Sequence, residues 1–165
     1  SSSMHRPYET AQIILQNKKE LKIEKINSLA EISHGLWEGK LESEIREKWP
    51  NLLKNWHDKP EEVVMPEGES IKDVSERAID AFNKICLSQK NNDLTLLVAH
   101  DAVNKTLICD ILGISYSNIW MIKQGNGGIT VIDLFNDPSK TPLISALNIT
   151  THLGGIIDST ASGAL

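Results

Sequence analysis

Residues 94–105, LTLLVAHDAVNK, carry the pattern that best indicates how this chain folds. An apolar run over residues 94–99 ends at His100, and apolar side chains then recur at helical spacing at Val103, Leu107, Ile108, Ile111 and Leu112. This pattern predicts a buried strand followed by a helix. A histidine at the carboxyl end of such a strand lies where open α/β sheets bind ligands. The first amides of the following helix also favour a phosphate group.

Helical patterns come before and after this stretch. Pro7 suits the first position of an N-terminal helix, which places Arg6 just before that helix. A second helix is predicted to end at Pro50, because apolar residues recur every four positions before it. Ser70 and Asp73 have the spacing of a capping box and predict the start of the longest helix.

Strands are predicted at residues 22–29, at residues 129–135 and, as an antiparallel edge strand, at residues 143–149. Alternation of helices with strands predicts an α/β fold, in the form of a three-layer α/β/α sandwich. A partner for the strand at residues 94–99 is not evident in the chain. We therefore expect the first central strand of the sandwich to be missing from these residues.

Composition limits the classes of protein to consider. The 165 residues are 40% hydrophobic, which predicts one domain over residues 1–165, with a poorly ordered tail at residues 154–165. The net charge of −5 argues against a nucleic-acid or membrane surface but leaves room for a small basic pocket. Cys86 and Cys109 are expected to be buried free thiols, and the default expectation for localisation is cytoplasmic.

Four groups of residues could carry chemistry, and each has a simpler alternative. Arg6, near Ser2 and Ser3, could bind phosphate or be a surface arginine. Glu31 could act as a general acid or be a solvated loop residue, as could Glu38. His100 could serve a site or only the fold. Residues 124–128, QGNGG, could place Asn126 against a ligand or form a plain turn. The five histidines show no metal-ligand spacing.

Several segments in this order resemble motifs of the histidine phosphatase superfamily, which includes the cofactor-dependent phosphoglycerate mutases. Residues 2–11 resemble its S-x-x-x-R-x-x-x-T-A segment, and residues 29–39, LAEISHGLWEG, its L-x-E-x-x-x-G-x-W-E-G loop. Residues 66–70, PEGES, are similar to its P-x-G-E-S motif, and residues 97–100, LVAH, to the strand that ends in its second histidine. Further runs after residue 98 resemble cyanobacterial and plant carboxyarabinitol-phosphate phosphatases.

The resemblance implies a phosphoglycerate mutase-like fold and a role for several residues. Glu31 would donate a proton to the leaving oxygen, and His100 would hydrogen bond to the transferring phosphoryl group. Arg6, Asp101 and Asn126 would bind the phosphate of the substrate. Asp101 departs from the glycine that the family usually has there, and its charge would also repel an anion. No metal or cofactor is implied.

The family nucleophile is a histidine in an R-H-G segment, and these 165 residues contain no such segment. His5 precedes Arg6 and does not match the motif. The resemblance therefore implies that the attacking histidine lies upstream, that the domain is N-terminally incomplete and that this chain alone is inactive.

The expected function is that of a phosphomonoesterase acting on a small sugar or sugar-acid phosphate through a phosphohistidine. A cofactor-dependent phosphoglycerate mutase is the first alternative. A catalytically dead module that binds a phosphorylated ligand or a partner is the second. The expected partner is a small phosphorylated metabolite, without nucleic acid or membrane, and a homodimer is possible.

Overall fold

The computed structural model describes residues 1–90, 92–135, 137 and 140–154. Five α-helices and two strands make up most of the regular structure there. The helices are α1 (His5–Ile14), α2 (Glu42–Lys48), α3 (Pro50–Asp58), α4 (Ile71–Ser88) and α5 (Asp101–Leu112). The strands are β1 (Ile129–Asp133) and β2 (Leu143–Ile149). Short 3₁₀ turns lie at Asn27–Leu29, Gly35–Trp37, Pro60–Glu62, Tyr116–Met121 and Thr151–Leu153.

Local sequence signals account for the ends of the helices. The predicted capping box is confirmed, because the Ser70 hydroxyl accepts a hydrogen bond from Asp73 N while Asp73 accepts one from Ser70 N. The second predicted helix, α2, ends at Lys48, and Pro50 begins α3. Gly113, with φ of 64°, ends α5 in the left-handed conformation that favours glycine. Helix α1 begins at His5, so Arg6 lies within its first turn rather than before it.

The hydrophobic core lies where α4 packs against α5 and against the segments between α1 and α4. Fully buried members are large and apolar, and they come from every part of this region: Leu29, Trp37, Ile45, Trp56, Met65, Ile71, Val74, Val103 and Ile108. Both cysteines are free thiols; Cys109 is buried and Cys86 is half-buried. Burial raises the pKa of Cys109 to about 11, so this thiol is kept in its neutral form.

The sheet has two antiparallel strands, β1 and β2, as the sequence predicted. Ile132 pairs with Ile144, and the register shifts twice between Ile129 and Ile132. Residues 22–29 form no strand; Ile26 makes an isolated parallel bridge with Ser2, and a 3₁₀ turn follows. The predicted tail falls mostly on residues 155–165, which lie outside the described residues.

The prediction of a buried strand at residues 94–99 is wrong for the described chain. This run is assigned to no strand, and the side chains of Leu94 and Leu96 are 98% and 54% exposed. A strand requires neighbours that pair with its backbone. Here Val98 O accepts a hydrogen bond from Ser2 N at 2.9 Å, which holds the end of the run beside the N-terminal residues. This contact brings His100 close to Ser2.

Candidate active site

Residues from five separate segments line one cavity of about 360 Å³. Arg6 comes from the first turn of α1, and Asp101 and Ala102 come from the first turn of α5. The loop between α1 and α2 provides most of the wall, through Glu31, Ile32, His34, Trp37, Glu38, Gly39 and Lys40. Trp56 of α3 and Trp120 of the 3₁₀ turn Tyr116–Met121 complete it. The structure therefore brings together three residues that the sequence singled out separately, namely Arg6, Glu31 and Asp101.

His100 is buried immediately before α5, with 7% of its surface exposed. Its Nε2 atom lies 3.0 Å from Ser2 Oγ, and either atom can be the donor according to the histidine tautomer. Burial, together with the positive charges of Arg6 and Arg77, lowers the pKa of His100 to about 4. His100 is therefore a neutral imidazole at pH 7. It is not among the residues that line the cavity, although its neighbour Asp101 is.

Glu31 lies with its carboxylate at the N-terminus of α5. Its Oε1 atom accepts hydrogen bonds from Ile32 N and Ala102 N, both at 3.2 Å. Burial raises the pKa of Glu31, and the negative charge of Asp101 adds to this effect, while the backbone N–H groups oppose it. A carboxyl group with a raised pKa is suited to general acid and base chemistry.

An arginine that the sequence did not single out holds the backbone of residues 28–35, the Glu31 loop. Arg77, from α4, donates to the carbonyl oxygens of Ser28, Ala30 and Glu31 at 2.8, 2.7 and 3.2 Å. It also donates to both carboxylate oxygens of Glu69, at 2.8 and 2.9 Å. This bidentate geometry fixes the guanidinium in one orientation. Arg77 thus fixes the backbone at Ser28, Ala30 and Glu31.

Glu69 completes the support of this loop. It accepts a hydrogen bond from Ser33 N at 2.9 Å. Although burial acts to raise it, the pKa of Glu69 is lowered overall by the hydrogen bonds from Arg77 and Ser33. Gly68 precedes it, and a Cβ there would overlap the carbonyl oxygen of Ser33. The PEGES segment therefore does more than open α4. It also carries Glu69, which holds the loop that contains Glu31.

Four buried polar side-chain atoms have no hydrogen-bond partner among the described residues, and all four belong to residues that line the cavity. They are Nδ1 of His34, Nε1 of Trp37, Nε1 of Trp56 and Oδ1 of Asp101. Buried polar atoms are nearly always paired, so an unpaired cluster of this kind indicates a place for water or a ligand. None of the three ring nitrogens was predicted from the sequence. In the sequence these residues are visible only as one histidine and two tryptophans among loop and core residues, which does not indicate a site.

Asn126 does not join Arg6, Glu31 and Asp101 in the lining of the cavity. It is exposed in the turn between Ile122 and β1. Gln124 donates to Thr130 Oγ1 at 3.4 Å, and Asn148 Oδ1 accepts from Gly125 N at 2.7 Å. These bonds stabilise the turn itself. Binding of phosphate by Asn126 stays a prediction.

Two findings concern metals and membranes. Among the described residues, no group of three or more metal-type side chains could hold a metal ion. Within the same part of the chain, no helix is both long and apolar enough to cross a bilayer.

Comparison with known proteins places these features in a family. Residues 1–146 match the family model of the histidine phosphatase superfamily (branch 1). Phosphoserine phosphatase 1 of Hydrogenobacter thermophilus is 32% identical over 154 residues, which cover 93% of this chain and 71% of that protein. The 2-carboxy-D-arabinitol-1-phosphatase of Triticum aestivum is 27% identical over 148 residues, which cover 90% and 29% of the two chains.

Among solved structures, the YhfR protein of Bacillus stearothermophilus is similar with a TM-score of 0.83 and 26% identity. The match covers 92% of this chain and 73% of that one. The phosphoglycerate mutase-like α/β fold implied by the sequence motifs is therefore confirmed. Together with the match over residues 1–146, this similarity leads to one conclusion: the chain belongs to the histidine phosphatase superfamily.

Proposed function

We propose that this protein is a phosphomonoesterase that transfers the phosphoryl group of a small sugar or sugar-acid phosphate to a histidine and then to water. The observation that carries the proposal is that Arg6, Glu31 and Asp101 line the same cavity. The names of two relatives, phosphoserine phosphatase 1 and 2-carboxy-D-arabinitol-1-phosphatase, also support a small phosphorylated substrate.

Arg6 and His100 are assigned to the phosphoryl group. The guanidinium of Arg6 lines the cavity from the first turn of α1, where it can bind two phosphate oxygens at once. His100 is neutral at pH 7, so its ring carries one N–H, which can donate a hydrogen bond to a phosphoryl oxygen. Such preorganised donors stabilise charge that develops in the transition state.

Glu31 is assigned to the leaving oxygen. Its raised pKa keeps a larger share of the carboxyl protonated near neutral pH than that of an ordinary glutamate. The unpaired nitrogens of Trp37 and Trp56 are donors, and Oδ1 of Asp101 is an acceptor. A leaving group that bears hydroxyl or acid oxygens would satisfy atoms of both kinds. This chemistry supports a sugar or sugar-acid phosphate.

The reaction then follows in two steps. The attacking histidine nitrogen forms a bond to phosphorus, the bond from phosphorus to the leaving oxygen breaks, and Glu31 gives that oxygen a proton. In the second step Glu31 takes a proton from water, whose oxygen bonds to phosphorus as the phosphorus–nitrogen bond breaks. The products are the alcohol and inorganic phosphate, and both protein groups return to their initial states.

The proposal assigns the attack to a histidine outside these 165 residues. None of the five histidines in the chain lies in an R-H-G segment. His100 is buried against Ser2, and His5, His57 and His152 are exposed and not among the residues that line the cavity. His34 lines it but belongs to the Glu31 loop. The 165-residue chain by itself is therefore expected to be inactive.

The test uses the protein as its gene encodes it, with release of inorganic phosphate measured across a panel of sugar, sugar-acid and amino-acid phosphates. We expect turnover of at least one sugar or sugar-acid phosphate and a base-stable, acid-labile phosphoprotein. Glu31→Gln is expected to lower kcat by about 100- to 10,000-fold. Glu42→Gln is the matched control, because Glu42 is an exposed glutamate on α2 that is not among the residues lining the cavity.

Three outcomes would contradict the proposal. Tight binding of phosphorylated ligands without turnover would favour a binding module. Conversion of a substrate to its phosphorylated isomer, with no phosphate released, would favour a mutase. If the 165-residue chain alone hydrolysed p-nitrophenyl phosphate and His100→Ala abolished this activity, the assignment of the nucleophile to another segment would be wrong.

A further inference from the structure

The hydrogen bonds to Glu31 present a problem for its proposed role. The donors to Oε1, Ile32 N and Ala102 N, stabilise the ionised carboxylate, and so does the backbone N–H of Asp101. Ala102 N also belongs to the first turn of α5, where the helix dipole favours negative charge. A proton donor must instead be protonated when the leaving oxygen departs. Some other feature of the site has to oppose these donors.

Asp101 is placed to oppose them. It is the first residue of α5, directly before Ala102, and it lines the same cavity as Glu31. Its Oδ2 accepts a hydrogen bond from Lys105 Nζ at 2.8 Å, whereas its Oδ1 is buried without a partner among the described residues. The negative charge of Asp101 is therefore only partly compensated. A second negative charge on Glu31 becomes unfavourable beside it.

Lys105 holds Asp101 in this position. The lysine lies one turn further along α5, and its side chain is only 12% exposed. Its Nζ also lies 5.3 Å from the centre of the Trp120 ring, which is a favourable place for a cation. Two contacts thus fix the ammonium group, and the ion pair holds the Asp101 side chain in one orientation.

The other charged groups around Glu31 come from each element packed against it. Arg6 lines the cavity from α1, and Arg77 from α4 donates to the backbone oxygen of Glu31. The loop adds three titratable side chains, which are His34, Glu38 and Lys40. The cations favour an ionised Glu31. Behind burial, Asp101 is the charged group that raises the pKa of Glu31.

We propose that Asp101, held by Lys105, is a positioning residue that keeps Glu31 protonated and so sets the highest pH at which the enzyme works. The inference rests on the proposed function, in which Glu31 is the proton donor. It also gives Asp101 a role other than binding phosphate, since an ionised carboxylate only accepts hydrogen bonds and repels an anion. Asp101 affects the leaving oxygen through Glu31, while its Oδ1 can accept a hydrogen bond from another hydroxyl group of the substrate.

The experiment compares pH profiles of kcat/KM for the gene-encoded protein and its Asp101→Asn variant. With glycerol 2-phosphate, whose alkoxide must be protonated to leave, the alkaline limb of Asp101→Asn should move to lower pH by roughly 0.5 to 1 unit. With p-nitrophenyl phosphate the shift should be smaller, because nitrophenolate leaves without a proton. A titration of the ¹³C-labelled Glu31 carboxyl by NMR should show a lower pKa in the variant.

Two further variants make the test specific. Asp101→Glu keeps the charge and should restore the alkaline limb to near its original pH. Glu38→Gln removes a negative charge from the same cavity and should leave the position of the limb unchanged. If Asp101 served only to stabilise the start of α5, Asp101→Asn would lower the free energy of unfolding without moving the limb, and the inference would be wrong.

The outcomes also separate this inference from the proposed function. If Glu31→Gln abolishes turnover of glycerol 2-phosphate but Asp101→Asn leaves the limb and the Glu31 pKa unchanged, the inference fails and the proposed function stands. If Glu31→Gln retains full turnover of that substrate, Glu31 is not the proton donor and both fail.

Discussion

The Glu31 loop, residues 28–35, and the glycine-rich turn, residues 124–128, were both expected to contribute to the site, the first through the proton donor Glu31 and the second through Asn126. They are built differently. Arg77 and Glu69, which lie outside the first loop, make six hydrogen bonds to its backbone and to each other. Local bonds to Thr130 and Asn148 hold the second. The first lines the cavity, whereas Asn126 of the second does not. Anchoring by distant side chains therefore distinguishes the loop that lines the cavity from the glycine-rich turn.

The largest effect is expected from removing the anchor of the Glu31 loop. Arg77→Met would leave Glu69 partly buried without its ion-pair partner and would unpair three carbonyl oxygens. The free energy of unfolding should fall by about 3 to 5 kcal/mol, as measured by urea denaturation. The control is Arg46→Met, which breaks an exposed ion pair with Glu42 and should cost less than about 1 kcal/mol. Equal losses in the free energy of unfolding would mean that the contacts of Arg77 stabilise the fold no more than an exposed ion pair does.

Adding a methyl group in each region is the next comparison. In Gly68→Ala the new Cβ would overlap the backbone oxygen of Ser33, which cannot move without displacing the anchored loop. We expect a loss of about 2 to 3 kcal/mol. In Gly128→Ala the Cβ meets the Asn148 side chain, which can turn away at the expense of its bond to Gly125 N, a loss of about 1 kcal/mol. Thermal denaturation should rank Gly68→Ala as the less stable variant; the reverse order would contradict the comparison.

A comparable effect should appear with pH. The folded protein keeps His100 neutral down to a pKa of about 4, whereas in the unfolded chain it binds a proton below about 6.5. The unfolded state therefore binds more protons in this window, and stability falls as the pH decreases from about 6.5 to 4, by roughly 2 to 3 kcal/mol from this group. Urea denaturation at several pH values should show a flatter dependence in His100→Gln. In His152→Gln, a histidine exposed after β2, the dependence should stay as steep as in the unaltered protein.

The smallest effect is expected in the glycine-rich turn itself. Asn126→Ala removes an exposed side chain and should change the free energy of unfolding by less than about 0.5 kcal/mol. If Asn126 stays away from the phosphate, kcat/KM should change by less than about threefold. A loss of 100-fold or more would show that this turn reaches the substrate and would remove the contrast between the two regions.

Much of the fold could be predicted from local signals, because they act over a few residues. The Ser70 cap, the start of α3 at Pro50, the end of α5 at Gly113 and the antiparallel hairpin all depend on neighbouring positions. The prediction of a strand at residues 94–99 failed because a strand forms only with neighbouring strands in a sheet, and its own sequence does not show whether these are present.

The site could also be predicted only in part, because some of its contacts join residues that are far apart in the sequence. Arg6, Glu31 and Asp101 could be found from ordered motifs, and they do share a cavity. The clamp of Arg77 on the Glu31 loop joins residues 46 to 49 positions apart, and no periodicity reports such a contact. The unpaired nitrogens of Trp37 and Trp56 belong to buried residues that, from sequence, look like ordinary core.

The tryptophans around the cavity also have a spectroscopic consequence. The chain contains four tryptophans, and three of them, Trp37, Trp56 and Trp120, line the cavity. The rings of Trp56 and Trp120 meet edge to face, with centroids 5.0 Å apart, and Lys105 lies over Trp120. A molecule entering the cavity would change the surroundings of most of the protein's fluorophores at once. The intrinsic emission of the protein is thus a built-in optical signal for occupancy of the site, with no label attached.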